Sequence, residues 1–190
     1  MNVPVRLYLA GKICKDASPS SQSSWRSEYA RALSSLNNVV LVSPEKVNFP
    51  RSNGQMVFGF ACSLIEHCDA VVVNASQKLG VGSSQEILIA KYFGKYVITV
   101  LPKGTPHRRR DVLLNDPYST TSPDWIHPFL ENTSDVIIDD VSSLLHVLRE
   151  NSELWRRPPK SLSLIRDAAN YYDSSATTAR RDGIPEFAVM

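Results

Sequence analysis

The sequence has no apolar run that approaches the ~18 residues of a membrane span. It has almost no excess of either charge. Lys and Arg number 21 against 19 Asp and Glu, a formal net charge of +2, which argues against nucleic acid or an anionic membrane as partner. Its three cysteines, Cys14, Cys62 and Cys68, form no Cys-x-x-Cys pair. They cannot all pair within one chain, which argues against a disulfide framework and against a zinc site, and for a reducing compartment. The start, Met1-Asn2-Val3-Pro4, lacks the charged opening and cleavage site of a signal peptide, so the expected location is the cytoplasm. No internal repeat is visible. What is present is the composition of a soluble globular protein, 43% hydrophobic and 21% charged, in one domain with a real core.

Apolar periodicity divides the chain into alternating elements. Val5 to Ala10 reads as a first strand ended by Gly11, and Lys12 to Ser24 as a polar loop. Trp25, Tyr29, Ala32, Leu33 and Leu36 share one helical face, which predicts a helix from Trp25 to Leu36. Val39 to Val42 is a short buried strand stopped at Ser43-Pro44. A second helix is expected from Gln55 to Cys68, with Val57, Phe60, Ala61, Leu64, Ile65 and Cys68 inward. The third strand is Ala70 to Asn74. A helix from Ser84 to Phe93 follows, with Gly94 as its terminating residue, and then a fourth strand from Tyr96 to Leu101. Pro102 to Asp124 reads as a long irregular segment, and loops of that length are usually functional or disordered. Val136 to Ile138 is a fifth strand and Val141 to Glu150 a helix. Pro158-Pro159 breaks the chain before a last helix, Ser161 to Tyr172, and Asp173 onward reads as a loose tail. Alternating strands and helices give an α/β domain, with a parallel sheet of about five strands covered on both faces. The expected division is a domain over 1–155 and a C-terminal helix with tail over 156–190.

The stretch Leu79-Gly80-Val81-Gly82-Ser83-Ser84-Gln85-Glu86 stands between a strand and a helix. In an open parallel sheet, ligands sit beyond the carboxyl ends of the strands, where such a loop lies. Gly80 and Gly82 let backbone approach a ligand with no Cβ in the way. Two readings of Glu86 stand. In one, Ser83-x-x-Glu86 is a capping box that satisfies amides of its own helix. In the other, a carboxylate on the first helical turn is kept ionised by the helix dipole and serves as a nucleophile. Ser83 and Ser84 divide likewise, between phosphate contact at a helix N-terminus and capping. Lys12 and Arg26 are the cations placed to meet a phosphate or sugar, although surface charge explains either. Asn74 and Gln77, at the end of the third strand, are positioned to touch sugar hydroxyls.

Tyr8-Leu9-Ala10-Gly11, Cys68-Asp69-Ala70-Val71-Val72-Val73, Leu79-Gly80-Val81-Gly82 with Glu86, and Gly94-Lys95 together resemble the nucleoside 2-deoxyribosyltransferase family. They also resemble the related 2′-deoxynucleoside 5′-phosphate N-hydrolases. The resemblance covers Val5 to Pro102, about half the chain, and weakens afterwards. It implies a doubly wound, flavodoxin- or Rossmann-like sheet and cleavage of the N-glycosidic bond of a (deoxy)nucleoside or its monophosphate. It implies Glu86 as nucleophile on the anomeric carbon, with Tyr8 and Asp69 as neighbours that orient or protonate. No metal or organic cofactor is implied, and a homodimer or larger homo-oligomer is. The chemistry is coherent: an oxocarbenium-like centre is stabilised or trapped by a carboxylate, and the base leaves once a ring nitrogen is protonated. The transferases carry an aspartate six residues before the nucleophile, and Gly80 stands there in this chain, so hydrolysis is expected over base exchange. A non-catalytic nucleotide-binding module and a ribonucleotide phosphoribohydrolase are the alternatives.

Two further groups draw attention. His107-Arg108-Arg109-Arg110 is a basic cluster in a proline-flanked loop, expected to be solvated, with a lid gripping a nucleotide or a neighbouring subunit as the functional alternative. Trp125-Ile126-His127-Pro128-Phe129 is expected to pack against the sheet edge, and a lone histidine such as His127 is usually structural.

Overall fold

Two strands that are apolar on both faces lie side by side at the centre of the sheet: β1 (Val5–Gly11) and β3 (Ala70–Asn74). Successive strand residues point to opposite faces. Tyr8 and Ala10 therefore join Val71 and Val73 in one core, while Leu7 and Leu9 join Ala70 and Val72 in the other. Full burial of each such valine or leucine contributes roughly 1.5–3 kcal/mol, and a strand buried on both faces cannot alternate with polar residues. The computed structural model describes residues 4–12, 25–44, 53–110, 112–113, 121–150 and 152–181.

The main sheet has the order β2-β1-β3-β4-β9 and is parallel throughout, with β2 at Val39–Val42, β4 at Tyr96–Val100 and β9 at Val136–Ile138. This is the doubly wound α/β architecture expected. One face is covered by α2 (Gly54–Glu66), α3 (Val81–Tyr92) and α4 (Pro128–Thr133), which supply Ile65, Ile87, Ala90 and Leu130 to the first core. The other is covered by α1 (Trp25–Leu33), α5 (Val141–Glu150) and α6 (Ser152–Arg156), which supply Tyr29, Leu33, Leu144 and Leu154. The chain leaves β1 for β2 on one side and returns to β3 on the other. Their carboxyl ends, where Gly11 pairs with Asn74, thus form the switch point at which such sheets bind ligands.

Several boundaries differ from the periodicity. α1 stops at Leu33 in a turn, although Leu36 still packs partly buried against the core. In α2, Asn53 caps the start, its Oδ1 accepting from Met56 N at 3.1 Å. The amino half of this helix is exposed, Val57 included, and inward packing begins only at Phe60. Gly94 takes φ +63° and ends α3 as expected.

The Pro102–Asp124 segment is not wholly irregular. Arg108–Arg109 (β5) pairs antiparallel with Trp125–Ile126 (β8), and Val112–Leu113 (β6) with Thr121–Ser122 (β7). Arg108, expected to be solvated, is buried. Its Nε and NH2 grip Asp124 at 2.8 and 2.7 Å, and its NH1 reaches Asp139 at 2.5 Å and the Leu101 carbonyl at 3.0 Å. That fork bolts the two-stranded arm to the end of β4, as a planar guanidinium suits and an ammonium does not.

The amino edge of the sheet is held by a buried ion pair between Lys91 of α3 and Asp135. Asp135 also accepts from Val97 N and Lys160 N, each at 2.6 Å. Contacts with the sheet domain continue past 155, since Lys160 Nζ also meets the carbonyls of Glu131 and Asn132. The last helix, α7 (Ser163–Arg181), extends beyond the Tyr172 end that the sequence suggested.

Candidate functional site

Glu86 meets Tyr8 across the space between α3 and β1. Tyr8 points from the middle of β1 toward the face that α3 covers, and its hydroxyl donates to Glu86 Oε1 at 2.6 Å. Tyr8 is fully buried and Glu86 half-buried. Burial pushes the Glu86 carboxyl above its ordinary 4.5, while the Tyr8 hydrogen bond and the charge of Arg26 pull it back down. Burial, followed by the charge of Glu86, holds the Tyr8 hydroxyl well above its usual range, so it stays a proton donor in this pair. One carboxylate oxygen is thus oriented by a phenol that will not ionise.

This geometry replaces the capping box. α3 begins at Val81, with Gly80 in extended conformation as the N-cap and no side-chain cap. Glu86 consequently lies on the second turn rather than the first, and burial and Tyr8 govern its state, not the dipole at the helix start. Ser83, expected to cap, is inside the helix and buried. Ser84 Oγ donates back to the Gly80 carbonyl at 3.1 Å, a bond within its own helix. Gly80 and Gly82 face open space, since a Cβ on either would meet no atom within 4 Å.

Arg26, for which surface charge was a competing explanation, is buried. Its NH2 donates to the carbonyls of Gly11 at 3.1 Å and Leu9 at 3.4 Å, and its NH1 to that of Lys12 at 3.4 Å. The guanidinium also lies 4.2 Å from the centre of the Trp25 ring. It ties α1 to the end of β1 and supplies the nearby positive charge that Glu86 feels. Lys12 is exposed and contributes its carbonyl, which also accepts from Trp25 Nε1 at 3.0 Å. Gly11 is a packing glycine: a Cβ there would stand 2.7 Å from Trp25 Cζ2. Asn74 is buried, and its Oδ1 accepts from Ser76 N at 3.1 Å to shape the turn after β3. Gln77 is exposed on that same loop.

Asp69 is not brought to Glu86. It precedes β3 at the amino edge of the sheet, where Oδ2 accepts from Arg6 N at 2.7 Å and its own amide donates to the Arg6 carbonyl at 2.9 Å. An aspartate at a strand start satisfies a neighbouring amide, and here that use prevails. Cys62 and Cys68 are free thiols, and burial pushes that of Cys68 up to about 11. Cys14 lies outside the described residues.

A cavity of about 320 Å³ opens on the other flank of α3. Ser84, Gln85 and Leu88 line it and Glu86 does not. At ~100° per residue, Glu86 points about 160° away from Leu88. The opposite wall comes from the arm and α4, through His107, His127 and Phe129. His127, expected to be structural, thus borders a cavity together with a histidine of the basic cluster. Sequence carried no sign of the pair, because the antiparallel arm brings them together: His127 N donates to the His107 carbonyl at 2.9 Å.

No protein-family model and no curated protein matches the sequence. Solved structures do. A conserved protein from Enterococcus faecalis V583 superposes with a TM-score of 0.57 at 13% identity, over 82% of this chain and 99% of that one. A 2-desoxiribosyltransferase from Leishmania mexicana gives 0.55 at 18% identity, over 78% and 99%. The chain shares the 2-deoxyribosyltransferase fold. A 2-deoxyribosyltransferase from Bacillus psychrosaccharolyticus, described as a biocatalyst for nucleoside synthesis, gives 0.54 at 14% identity, over 83% and 100%. Among the described residues no helix is long and apolar enough to cross a membrane, and no group of three or more His, Cys, Asp or Glu is placed to hold a metal ion.

Proposed function

We propose that the protein cleaves the N-glycosidic bond of a (deoxy)nucleoside or nucleoside 5′-monophosphate, with Glu86 as the nucleophile. The observation that carries this reading is the Tyr8–Glu86 pair. A fully buried phenol holds Oε1, which leaves Oε2 of the same carboxylate for the anomeric carbon. Attack forms a glycosyl ester on Glu86 as the N-glycosidic bond breaks and the base departs with a proton on its ring nitrogen taken from solvent water. A second water then cleaves the ester, which frees the sugar, restores the carboxylate and returns a proton to solvent. Tyr8 orients the carboxylate and, by stabilising its ionised form, offsets part of the burial that would protonate it. Asp69 is left out of this mechanism, because its carboxylate is bonded to Arg6 N. The shared fold of solved 2-deoxyribosyltransferases supports the substrate class.

Hydrolysis is favoured over transfer because Gly80 offers no side chain where the transferases place an aspartate. The amino end of α3, without a side-chain cap and with open space at Gly80 and Gly82, supports acceptance of a 5′-phosphate. Self-assembly is supported by apolar groups left exposed on adjacent helices, among them Met56 and Phe58 of α2 and Tyr92 of α3.

Incubation with a panel of deoxy- and ribonucleosides and their monophosphates, followed by chromatography for free base, tests the reading. Base release by the native protein and none by a folded Glu86→Ala variant are expected. Equal turnover by that variant overturns the assignment, and equal rates on nucleosides and monophosphates remove the phosphate site.

A further inference from the structure

We propose that the cavity between α3 and the arm is a second binding site, distinct from the Glu86 side of the helix, for a small planar aromatic ligand bearing one anionic group. The inference does not rest on the glycosidic reading.

Three observations define the ligand. The first is shape. His107 and His127 stand edge to face with ring centres 5.8 Å apart, and His127 and Phe129 are also 5.8 Å apart, so three aromatic side chains gather on one wall. Leu88 closes the side formed by α3. At about 320 Å³ the space is at the lower end of small-molecule sites, enough for one ring system and a short substituent rather than a dinucleotide. A flat π-system packs favourably against aromatic rings, stacked with an offset or edge to face.

The second is charge. Among the described residues that line the cavity there is no carboxylate, and Lys78 stands at its rim. Arg109 acts on the same region, for it is one of the cations that, with burial and His127, hold His107 below its ordinary range. A partly enclosed site edged by one sign of charge selects the opposite sign.

The third is a fixed tautomer. Leu79 N donates to His107 Nε2 at 3.0 Å, so Nε2 is the unprotonated nitrogen and Nδ1 carries the hydrogen of the neutral ring. No hydrogen bond from that Nδ1–H is made among the described residues, and an acceptor on the ligand would complete it. The bond to Leu79 also ties the arm to the loop that starts α3.

A nucleoside 5′-monophosphate and an aryl carboxylate both carry this chemistry. The test uses the full chain with Glu86→Gln, to prevent turnover, titrated with 2′-deoxyadenosine 5′-monophosphate and with 1-naphthoate. The neutral partners are 2′-deoxyadenosine and 1-naphthalenemethanol. Heat of binding is one readout. Trp125 emission is the other, since that ring lies 5.7 Å from His127.

At least one anionic probe is expected to bind tenfold or more tightly than its neutral partner and to quench Trp125, and the tighter anion names the source. Lys78→Gln should erase the preference for the anion. Leu88→Trp should fill the cavity and abolish binding. If that variant fails to fold, Gln85→Phe, at an exposed lining position, should block binding in its place. The proposal is overturned if neither anion binds at millimolar concentration, if charged and neutral probes bind alike, or if binding survives the cavity-filling variants. Binding weakened by Tyr8→Phe but not by Leu88→Trp also overturns it, because the ligand then sits on the other side of α3.

Discussion

Removing the Tyr8 hydroxyl should move the ionisation of Glu86 in a direction and by an amount that the site specifies. Tyr8 donates to Glu86 Oε1 at 2.6 Å, and this bond lowers a carboxyl pKa that burial has raised. A hydrogen bond to a charged group contributes roughly 1.5–3 kcal/mol, and about 1.4 kcal/mol corresponds to one pH unit. Tyr8→Phe should therefore carry the Glu86 pKa upward by about 1–2 pH units more. A nucleophile must be ionised, so the acid limb of base release should shift to higher pH by the same amount, with a smaller change on the plateau. Stability should follow the same sign. The folded pKa of Glu86 lies above its unfolded value, so the cost of ionising it in place appears as pH rises through the folded pKa. The deficit of Tyr8→Phe in urea unfolding should be smallest near pH 4 and should grow to about 1.5–3 kcal/mol above the folded pKa. Titration of the Glu86 carboxyl by carbon-13 NMR reads the shift without turnover. A carboxyl resonance and acid limb that stay in place, with a pH-independent deficit, would refute the reasoning.

Three further outcomes follow from groups outside that pair. Asp135→Ala leaves the buried Lys91 charge without its partner and should cost about 3–5 kcal/mol in urea unfolding where Lys91 is charged in both proteins; because Asp135 holds up a Lys91 pKa that burial depresses, its loss lowers that pKa further, and the deficit should shrink as pH climbs from the variant's folded pKa to the native one. His107 accepts from Leu79 N only while neutral, and its pKa is lowered from 6.5, so native stability should fall as pH drops from 6.5 toward the depressed value; in His107→Gln, which keeps an acceptor and does not titrate, that part of the fall should vanish in thermal melts. Gly11→Ala puts a Cβ 2.7 Å from Trp25 Cζ2 and should cost roughly 1–3 kcal/mol, with a change in Trp25 emission.

The central sheet was readable because Val71 to Val73 and Leu7 to Ala10 are short continuous apolar runs and Val97 to Val100 is interrupted only by Thr99, and such runs require cover on both faces. Glu86 was readable as a carboxylate on the helix that follows β3. Its partner Tyr8 came from a resemblance rather than from spacing, since the two are distant in sequence. The start of α3 was not readable. Two glycines and Val81 look like loop, and Ser83 looks like the better cap, yet Gly80 in an extended conformation opens the helix earlier and buries Ser83. Asp69 could not be separated from the site by sequence, because a carboxylate beside a strand serves an amide or a substrate equally well until Arg6 N is placed against it. The arm was missed because two-residue strands carry no periodicity, and Arg108 because both of its carboxylate partners are non-local. The same non-local pairing hid His107 and His127.

The most direct measurement on the central claim is a trapping experiment with a 2′-deoxy-2′-fluoroarabino nucleoside and its monophosphate. The fluorine slows release of a glycosyl ester more than its formation, so the ester accumulates. Intact-mass and peptide analysis should find one sugar-sized mass gain, on the peptide that contains Glu86, with free base released in equal amount and no gain in Glu86→Ala. Base release with no adduct, an adduct on another peptide, or an adduct that persists in Glu86→Ala would contradict the account.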